Sequence, residues 1–401
     1  MARNTYINKA ITLGNRLQML LIRVIAYFHK GEGIWLIAEK TNEARDNGYW
    51  LYRYIRVHHP DVKAFYVLDK CSADYDKISS LGEENIVAPN SWKHKIFFWS
   101  AQYNACSQPH TDYFSSYRPL ITLRSKYQVN TFLQHGITKD NLSHGIDADR
   151  SGFDLFVTSA KREQEAVMER HGYTESTCIL TGLCRFDNLP LSHDAKSKII
   201  LVMPTFRHWI MTANSDMVAT TEEKDRFKKD DFCVKYKSLL YSERMSSLLD
   251  RFDYKLIFYP HYCAQPFLEC FEDERKGERI ILASNKDYDV QKLLVESDIL
   301  ITDFSSIFFD FAYMKKPEIF YQFDEERYRG GHYEEGYFKY REDAFGPVLD
   351  KEEDVFAYLE QLLLNDSNME PKYVDRVDKF FEYTDQNNCE RVYNTIINYK
   401  K

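Results

Sequence analysis

The chain has 401 residues, of which 44% are hydrophobic and 15% aromatic, with 53 lysines and arginines against 61 aspartates and glutamates. This length predicts two or three domains, and the aromatic content excludes an intrinsically disordered chain. The net charge of -8 argues against a nucleic-acid-binding protein with a basic surface. The eight cysteines include no C-x-x-C pair and no metal-ligand spacing, so we predict reduced thiols, no metal site and a cytoplasmic protein.

Residues 3–30 predict a cationic amphipathic helix. Apolar residues such as Leu20, Leu21 and Val24 are accompanied by Arg16 and Arg23. A helix of this composition either packs on the domain that follows or lies in the plane of an anionic membrane surface. We find no apolar run of the roughly 18 residues needed to span a bilayer, and no signal peptide.

After this helix, short apolar runs alternate with segments of helical periodicity. The alternation occurs in two successive series along the chain. Such alternation predicts parallel sheets covered by helices on both faces, so the expected fold class is α/β with two doubly wound, Rossmann-like domains. In the first series we predict strands at 34–39, 64–68, 104–107, 129–133, 155–158 and 178–181, and helices at 49–58 and 161–171. In the second we predict strands at 199–203, 255–259, 279–282, 299–302 and 318–321, and helices at 236–251, 288–296 and 306–314.

A stretch of linker composition at residues 189–197 predicts a domain boundary near residue 195. Residues 211–231 predict a long polar loop, and residues 374–399 predict a long amphipathic helix. Two doubly wound domains facing each other form a cleft at the carboxyl ends of their strands, where ligands of open α/β sheets bind. The predicted organisation is a helix at 1–30, Rossmann-like domains at 31–195 and 196–375, and a crossover helix at 376–401.

Histidines follow predicted strands in both series. Gln134, His135 and Gly136 come directly after one strand of the first series, with Lys139 close behind, and His261 follows a strand of the second. A histidine at such a position is either structural or a base within reach of a substrate hydroxyl. We predict that His135 removes a proton from an acceptor and that His261 holds the phosphate that takes the charge.

The most informative stretch joins a predicted strand to the helix that follows it. Thr302, Asp303, Ser305 and Ser306 stand where the free amides of a helix start and side-chain hydroxyls can cradle a phosphate. Serine and aspartate are also ordinary N-caps, so a purely structural role is the alternative.

Two other strand ends carry candidate ligands. Thr205 and Arg207 follow the first strand of the second series, where an arginine either contacts a phosphate through its planar fork of donors or pairs with a carboxylate. Gly182 ends the first series and permits a tight turn or a close ligand approach, while Arg185 and Asp187 could pair across it.

Taken in order, these motifs resemble those of the CDP-glycerol glycerophosphotransferases, the teichoic-acid primases and polymerases. The matching residues are Gln134-His135-Gly136, Thr181-Gly182 with Arg185 and Asp187, Pro204–Arg207, Pro260-His261, Thr302–Ser306 with Phe309-Asp310, and Gly346-Pro347. The resemblance implies a GT-B type fold, with the acceptor in the first domain and CDP-glycerol in the second. It also implies transfer of glycerol phosphate to a hydroxyl of a membrane-linked acceptor, with release of CMP and without a cofactor.

The resemblance assigns roles residue by residue. His135 matches the family's proposed base, His261 matches the histidine beside the pyrophosphate, and Ser305 and Ser306 match the phosphate-binding helix start. The family commonly shows Trp-His-Gly-Thr-Pro where this chain has Gln134–Thr138, so we expect a different acceptor side that includes Gln134, Gly136 and Lys139.

The donor and the acceptor stay open at this point. The expected partners are CDP-glycerol or CDP-ribitol, a lipid-linked saccharide or polyol-phosphate acceptor and a membrane surface, without nucleic acid. The expected location is peripheral, on the cytoplasmic face of the cell membrane. Alternatives to a CDP-glycerol transferase of teichoic-acid or capsule synthesis are a CDP-ribitol transferase, a nucleotide-sugar glycosyltransferase of GT-B type and a non-catalytic CDP-binding scaffold.

Overall fold

The computed structural model describes residues 18, 20–30, 32–108, 127–141, 146–191, 196–210, 218–331 and 334–401. The chain divides into two compact units. Unit 1 takes residues 1–135, 143–188 and 385–401, and unit 2 takes residues 136–142 and 189–384. The domain limits predicted at residues 30, 195 and 375 stay predictions.

In the described residues of unit 1, seven short strands are flanked by helices. The strands are β1 (Trp35–Ala38), β2 (Ala64–Val67), β3 (Ile86–Val87), β4 (Tyr103–Cys106), β5 (Val129–Phe132), β6 (Leu155–Thr158) and β7 (Cys178–Leu180). The helices are α1 (Asn47–His58), α2 (Tyr75–Ser79), α3 (Trp92–Ser100), α4 (Ala148–Ser151), α5 (Lys161–His171) and the C-terminal α15 (Asn388–Asn398). Short 3-10 helices lie at Glu83–Asn85 and Cys184–Asn188.

The sheet of unit 1 is parallel, in the order β3-β2-β1-β4-β5-β6-β7. All four residues of β1, β5 and β6 are buried, as expected of strands covered by helices on both faces. The strand order reverses between β1 and β4, and open α/β sheets bind ligands outside the carboxyl ends of the strands at such a point. The ends of β1, β4 and β5 are therefore where a site of unit 1 is expected.

Unit 2 repeats this architecture, with six strands in the part of it that the structure describes. The strands are β8 (Ile199–Val202), β9 (Lys255–Phe258), β10 (Ile280–Leu282), β11 (Ile299–Thr302), β12 (Glu318–Tyr321) and β13 (Val348–Leu349). The helices are α6 (Thr221–Phe227), α7 (Asp231–Tyr241), α8 (Glu243–Phe252), α9 (Val290–Glu296), α10 (Phe308–Tyr313), α11 (Glu325–Gly331), α12 (Tyr340–Asp343), α13 (Glu352–Leu364) and α14 (Pro371–Phe380), with 3-10 helices at His208–Ile210 and Tyr262–Phe271.

The sheet of unit 2 is also parallel, in the order β10-β9-β8-β11-β12-β13. Its strand order reverses between β8 and β11. One continuous apolar core packs β8, β9, β11 and β12 against α7, α8 and α13. The carboxyl ends of β8, β9, β11 and β12 therefore form the ligand-binding edge expected of unit 2.

The N-terminal helix is described at residues 18 and 20–28. Ile22 and Ala26 are buried against unit 1. The opposite face leaves five large side chains exposed, which are Leu20, Leu21, Val24, Tyr27 and Phe28. Residues 29 and 30 form a turn, and residues 3–17 and 19 of the predicted helix lie outside the described residues.

The predicted α/β fold and all eleven predicted strands are confirmed, with ends shifted by at most one residue. The sequence analysis missed β3 and β13, because two apolar residues are too short a run to separate from a loop. The helix predicted at 236–251 is two helices, because Ser242 is extended and its side chain caps the second one.

Three other predictions about helices were wrong in part. The loop predicted at 211–231 contains α6, which begins with a capping box of Thr220 and Glu223; residues 211–217 lie outside the described residues. The helix predicted at 306–314 begins only at Phe308. The helix predicted at 374–399 is two helices, of which α14 belongs to unit 2 and α15 to unit 1.

Candidate functional site

His135 lies at the carboxyl end of β5 in unit 1. Its ring is 66% exposed, and its Nδ1 lies 2.5 Å from Oδ2 of Asp46, a carboxylate that is only 13% exposed. Asp46 is the N-cap of α1 and also pairs with Arg185, whose Nη1 lies 2.9 Å from Oδ1. An exposed imidazole thus contacts a largely buried carboxylate that has its own counterion.

Side chains of unit 1 also hold the backbone beside His135 through hydrogen bonds. Gln134 adopts a left-handed conformation, with φ of 62°, which a non-glycine residue rarely takes. Asn47 Nδ2 donates to the Gln134 carbonyl at 2.8 Å, and Arg185 Nη1 donates to the His135 carbonyl at 2.5 Å. These bonds fix both peptide groups next to the imidazole.

The side chain of Gln134 faces the interior of unit 1. Its Nε2 donates to the Val157 carbonyl at 2.6 Å and to Glu163 Oε1 at 2.8 Å. Glu163 in turn accepts the Ser159 backbone N–H at 2.7 Å. Gln134 was predicted on the acceptor side, but this buried amide supports the backbone of His135 and is not exposed to an acceptor.

The residues after β7 have three separate structural tasks. Gly182 has φ of 81°, and a Cβ there would stand 2.0 Å from Oδ1 of Asn388, so only glycine fits. Arg185 reaches Asp46, and Asp187 accepts the backbone N–H groups of Asn388 and Cys389 at the start of α15. Arg185 and Asp187 therefore make two different contacts in place of the pairing considered from the sequence, and the substrate contact of Gly182 stays a prediction.

Gly136 and Lys139 belong to unit 2. Lys139 is buried, and its ammonium pairs with Asp140, which also accepts from Arg329 Nη1 at 2.7 Å. A Cβ on Gly336 would stand 2.2 Å from the Lys139 carbonyl. Lys139 was predicted on the acceptor side, but its ammonium is committed to an internal ion pair that fastens residues 136–141 to unit 2.

His261 follows β9 in unit 2. Its Nδ1 accepts the backbone N–H of Cys263 at 3.3 Å, and its ring stacks on Phe206 with centroids 4.7 Å apart. An Nδ1 that accepts leaves the proton of a neutral imidazole on Nε2. The ring can therefore donate a hydrogen bond from Nε2, which suits a phosphate oxygen.

Arg207 and Asp303 form a fully buried ion pair at the same edge of unit 2. Both side chains are 0% exposed, with Arg207 Nη2 2.8 Å from Asp303 Oδ2. Arg207 also bonds Asp324 through Nε at 2.7 Å and Nη2 at 2.9 Å, and it donates from Nη1 to the Thr205 carbonyl at 2.9 Å. Burial opposes the charge of Arg207, but the two carboxylates outweigh it and raise its pKa.

The sequence analysis predicted that Arg207, Asp303, Thr205 and Thr302 bind the substrate, but the contacts that they make lie inside unit 2. Asp303 accepts the backbone N–H groups of Thr205 and Phe304, and Thr302 Oγ1 donates to the Met203 carbonyl at 2.7 Å. The side chains of Arg207, Asp303 and Thr302 and the backbone of Thr205 thus tie the ends of β8 and β11 together from within. The buried guanidinium of Arg207 is oriented toward carboxylates and is not exposed to a phosphate.

Ser305 and Ser306 lie in the turn that follows and are partly exposed. Ser305 Oγ accepts from the Ile307 backbone N–H at 3.4 Å. The sequence analysis predicted that the two serines open the helix, and this was wrong, because α10 begins at Phe308 and both serines precede it. Their hydroxyls are presented by a turn that the Arg207–Asp303 pair supports.

The sequence analysis missed Asp46, Asn47 and Asp324. Asp46 and Asn47 precede Gly48 at the start of α1, so the available signal was only that of an N-cap.

Over the described part of the chain, no group of histidine, cysteine, aspartate and glutamate has the arrangement of a metal site. No helix within the described ranges is long and apolar enough to cross a membrane.

Two parallel, doubly wound sheets with candidate residues at their carboxyl ends define a two-domain α/β protein of the GT-B type. Residues 19–398 match the family described as CDP-Glycerol:Poly(glycerophosphate) glycerophosphotransferase. The chain belongs to this family.

Relatives and solved structures agree with this assignment. The minor teichoic acid biosynthesis protein GgaB of Bacillus subtilis (strain 168) is 33% identical over 370 residues, which are 91% of this chain and 39% of GgaB. The teichoic acid ribitol-phosphate polymerase TarK of Staphylococcus aureus (strain NCTC 8325 / PS 47) is 25% identical over 350 residues, which are 80% of this chain and 62% of TarK. The chain thus spans about two fifths of GgaB and less than two thirds of TarK.

The wall teichoic acid polymerase TagF has the same fold. Its structure superposes with a TM-score of 0.68 at 16% identity and covers 98% of this chain and 96% of the TagF chain. Another TagF structure, of a variant soaked with CDPG, superposes with a TM-score of 0.66 at 16% identity and covers 96% of each chain.

Proposed function

We propose that this protein transfers glycerol phosphate from CDP-glycerol to a hydroxyl of a membrane-linked acceptor and releases CMP, in teichoic-acid or capsule-like polymer synthesis. The observation that carries the proposal is membership of the glycerophosphotransferase family over residues 19–398. The likeness to GgaB, a protein of teichoic acid biosynthesis, and the CDPG-soaked structure of TagF support the pathway and the donor.

In the proposed reaction, His135 is the general base. Its exposed ring takes the proton of the acceptor hydroxyl, and the oxygen attacks the β-phosphorus that carries glycerol. The bond between that phosphorus and the bridging oxygen breaks, and CMP leaves with the electron pair. One P–O bond forms and one breaks, so the reaction needs no oxidant or reductant.

On the donor side, we propose that His261, Ser305 and Ser306 contact the phosphates. Nε2 of His261 and the two serine hydroxyls are hydrogen-bond donors, and preorganised donors stabilise the charge that develops during phosphoryl transfer. Arg207 and Asp303 then act indirectly, because their buried pair supports the turn of the serines. Replacing both serines by alanine should weaken CDP binding about 10-fold or more, since hydrogen bonds to charged groups contribute about 1.5–3 kcal/mol.

The donor specificity is tested by measuring CMP release from CDP-glycerol and CDP-ribitol separately, with a panel of lipid-linked acceptors. CDP-ribitol is the second candidate donor, because TarK is a ribitol-phosphate polymerase and matches 80% of the chain. Acceptor-dependent release from CDP-glycerol that His135→Ala abolishes would support the proposal. CMP release from CDP-ribitol alone would make CDP-ribitol the donor. If CMP is released from neither donor, the proposed activity is contradicted.

We propose further that the protein contacts the cytoplasmic face of the membrane through its N-terminal helix. The exposed apolar face of this helix borders a surface cavity of about 470 Å³, lined by Leu20, Arg23, Val24, Tyr27, Phe28, Lys30 and Trp99. Apolar side chains beside two cations suit an anionic lipid surface. A membrane-linked acceptor would be reached from such a position.

Vesicle flotation tests this contact. The double variant Leu21→Asp, Phe28→Asp places two charges on the exposed face and should abolish flotation with vesicles of phosphatidylglycerol and phosphatidylcholine. Leu364→Asp is the matched control, because Leu364 is an exposed leucine of α13 in unit 2. Equal flotation of the double variant and the control would remove the helix from the proposal.

A further inference from the structure

We propose that Asp46 is a positioning residue that holds His135 in the tautomer required of a base. This inference rests on the proposed role of His135 and adds a residue for which the sequence motifs gave no sign. It depends on three observations in unit 1: the contact between the two side chains, the charges around Asp46, and the fixed backbone of His135.

The first observation is how Asp46 divides its two oxygens. Oδ2 lies 2.5 Å from Nδ1 of His135. Oδ1 accepts the Asn47 backbone N–H at 2.8 Å and Arg185 Nη1 at 2.9 Å. The carboxylate is thus anchored to the start of α1 on one side and faces the imidazole with the other.

The second observation concerns the charge of Asp46. Burial opposes its ionisation, but His135 and Arg185 outweigh the burial, so the pKa of Asp46 lies below its usual value. The neighbouring carboxyl of Glu39 behaves in the opposite way: burial and the charge of Asp46 raise its pKa to about 8. Glu39 accepts the backbone N–H groups of Arg45, Asp46 and Tyr49, so it stabilises the start of α1, where Asp46 is the N-cap.

An ionised carboxylate can only accept hydrogen bonds, so the nitrogen that faces it must carry a proton. In neutral His135 this places the proton on Nδ1 and the lone pair on Nε2. The lone pair on Nε2 is the group that a base needs, and the ring that bears it is 66% exposed. His261, whose Nδ1 accepts from Cys263, is held in the opposite tautomer, which suits a donor to phosphate.

The third observation is that the imidazole has little freedom to turn away. The carbonyls of Gln134 and His135 accept from Asn47 and Arg185. Asn47 is the residue after Asp46, and Arg185 is the counterion of Asp46. The same small group of residues therefore fixes the backbone, the ring orientation and the proton of His135.

Unit 1 offers a matched control. Asp147 Oδ1 lies 2.8 Å from Nδ1 of His171, but this second histidine is 2% exposed and has no access to a substrate. Replacing Asp147 by asparagine removes a carboxylate from a histidine in the same unit and tests for general effects on folding.

The kinetic test compares Asp46→Asn, Asp46→Glu and Asp147→Asn in the full-length protein. An asparagine can present its amide N–H to Nδ1, so Asp46→Asn should lower kcat about 10²-fold or more, the lower end of what a general base contributes. KM for the donor should stay unchanged, and the acid limb of the kcat/KM profile should move to lower pH. Asp46→Glu should recover part of the loss, and Asp147→Asn should keep the wild-type kcat and profile.

The result that would overturn the role of Asp46 is a normal kcat in Asp46→Asn together with loss of activity in His135→Ala. Activity in His135→Ala would instead overturn the base on which the inference rests. A direct measurement needs no turnover: nitrogen-15 spectra of the imidazoles should show neutral His135 protonated on Nδ1 in the wild type. A signal protonated on Nε2 at this position would contradict the inference whatever the activity.

Discussion

Replacement of Arg207 by alanine is the sharpest test of the buried ion pair in unit 2. The change removes a guanidinium that is 0% exposed and leaves the equally buried Asp303, and also Asp324, without their counterion. It also removes packing on the rings of Phe304 and Tyr328, which lie 5.3 and 5.1 Å from the guanidinium carbon. We expect a large loss of stability.

The magnitude follows from the contacts. Removing one partner of a buried, hydrogen-bonded ion pair costs about 3–5 kcal/mol, because the remaining charge loses its compensation. For a unit of about 200 residues, each kcal/mol lowers the melting temperature by roughly 2–4 °C, so Arg207→Ala should lower that of unit 2 by roughly 6–20 °C. Arg207→Lys should be intermediate, because lysine keeps the charge and loses the planar fork of donors.

The assay is calorimetric unfolding of the full chain, with binding of CDP measured separately. Arg327→Ala is the control, since Arg327 is 49% exposed and its 3.2 Å pair with Asp230 lies at the surface, where such pairs contribute less than about 1 kcal/mol. Unfolding of Arg207→Ala within 1 kcal/mol of the wild type, combined with lost CDP binding, would refute the structural role. That result would support Arg207 as a direct ligand of the phosphate, as predicted from the sequence.

Two further predictions concern backbone packing and pH. Gly336→Ala should lower the stability of unit 2 by about 1–3 kcal/mol, because its Cβ would meet the Lys139 carbonyl at 2.2 Å. Gly330→Ala should not lower the stability, because a Cβ there has nothing within 4 Å. Equal melting temperatures of the two variants would contradict the tight packing of residues 136–141. Burial raises the pKa of Glu39 from 4.5 to about 8, so its stabilising contribution is complete below pH 4.5 and is lost as the pH rises through about 8. Glu39→Gln should therefore flatten the fall of unfolding free energy over this range, and an unchanged slope would show that another group titrates.

The fold was accessible from the sequence because each strand is a short apolar run that a parallel sheet buries on both faces. The run at Ile299–Thr302 was predicted without error, since all four residues are buried and a polar turn follows. His135 and His261 could be selected because each lies three residues after the end of such a strand. The local pattern therefore gave both the architecture and the two histidines.

The partners of these residues were not accessible in the same way. Asp46 and His135 are 89 positions apart, and Arg207 and Asp324 are 117 apart, so no local spacing joins them. Burial decided the other differences: Arg207 and Lys139 are cations whose sequence context suits a ligand contact, but both lie inside unit 2 with carboxylates. Sequence pattern identifies which residues reach a strand end, and tertiary packing decides which of them face outward.

The central claim is that His135 activates an acceptor hydroxyl for transfer of glycerol phosphate. The most direct measurement follows radiolabelled glycerol phosphate from CDP-glycerol into a lipid-linked acceptor, with the full-length wild type and His135→Ala compared at equal CDP binding. We predict label in the acceptor with the wild type and a loss of about 10²-fold or more in the variant. Transfer at the wild-type rate by His135→Ala would contradict the claim.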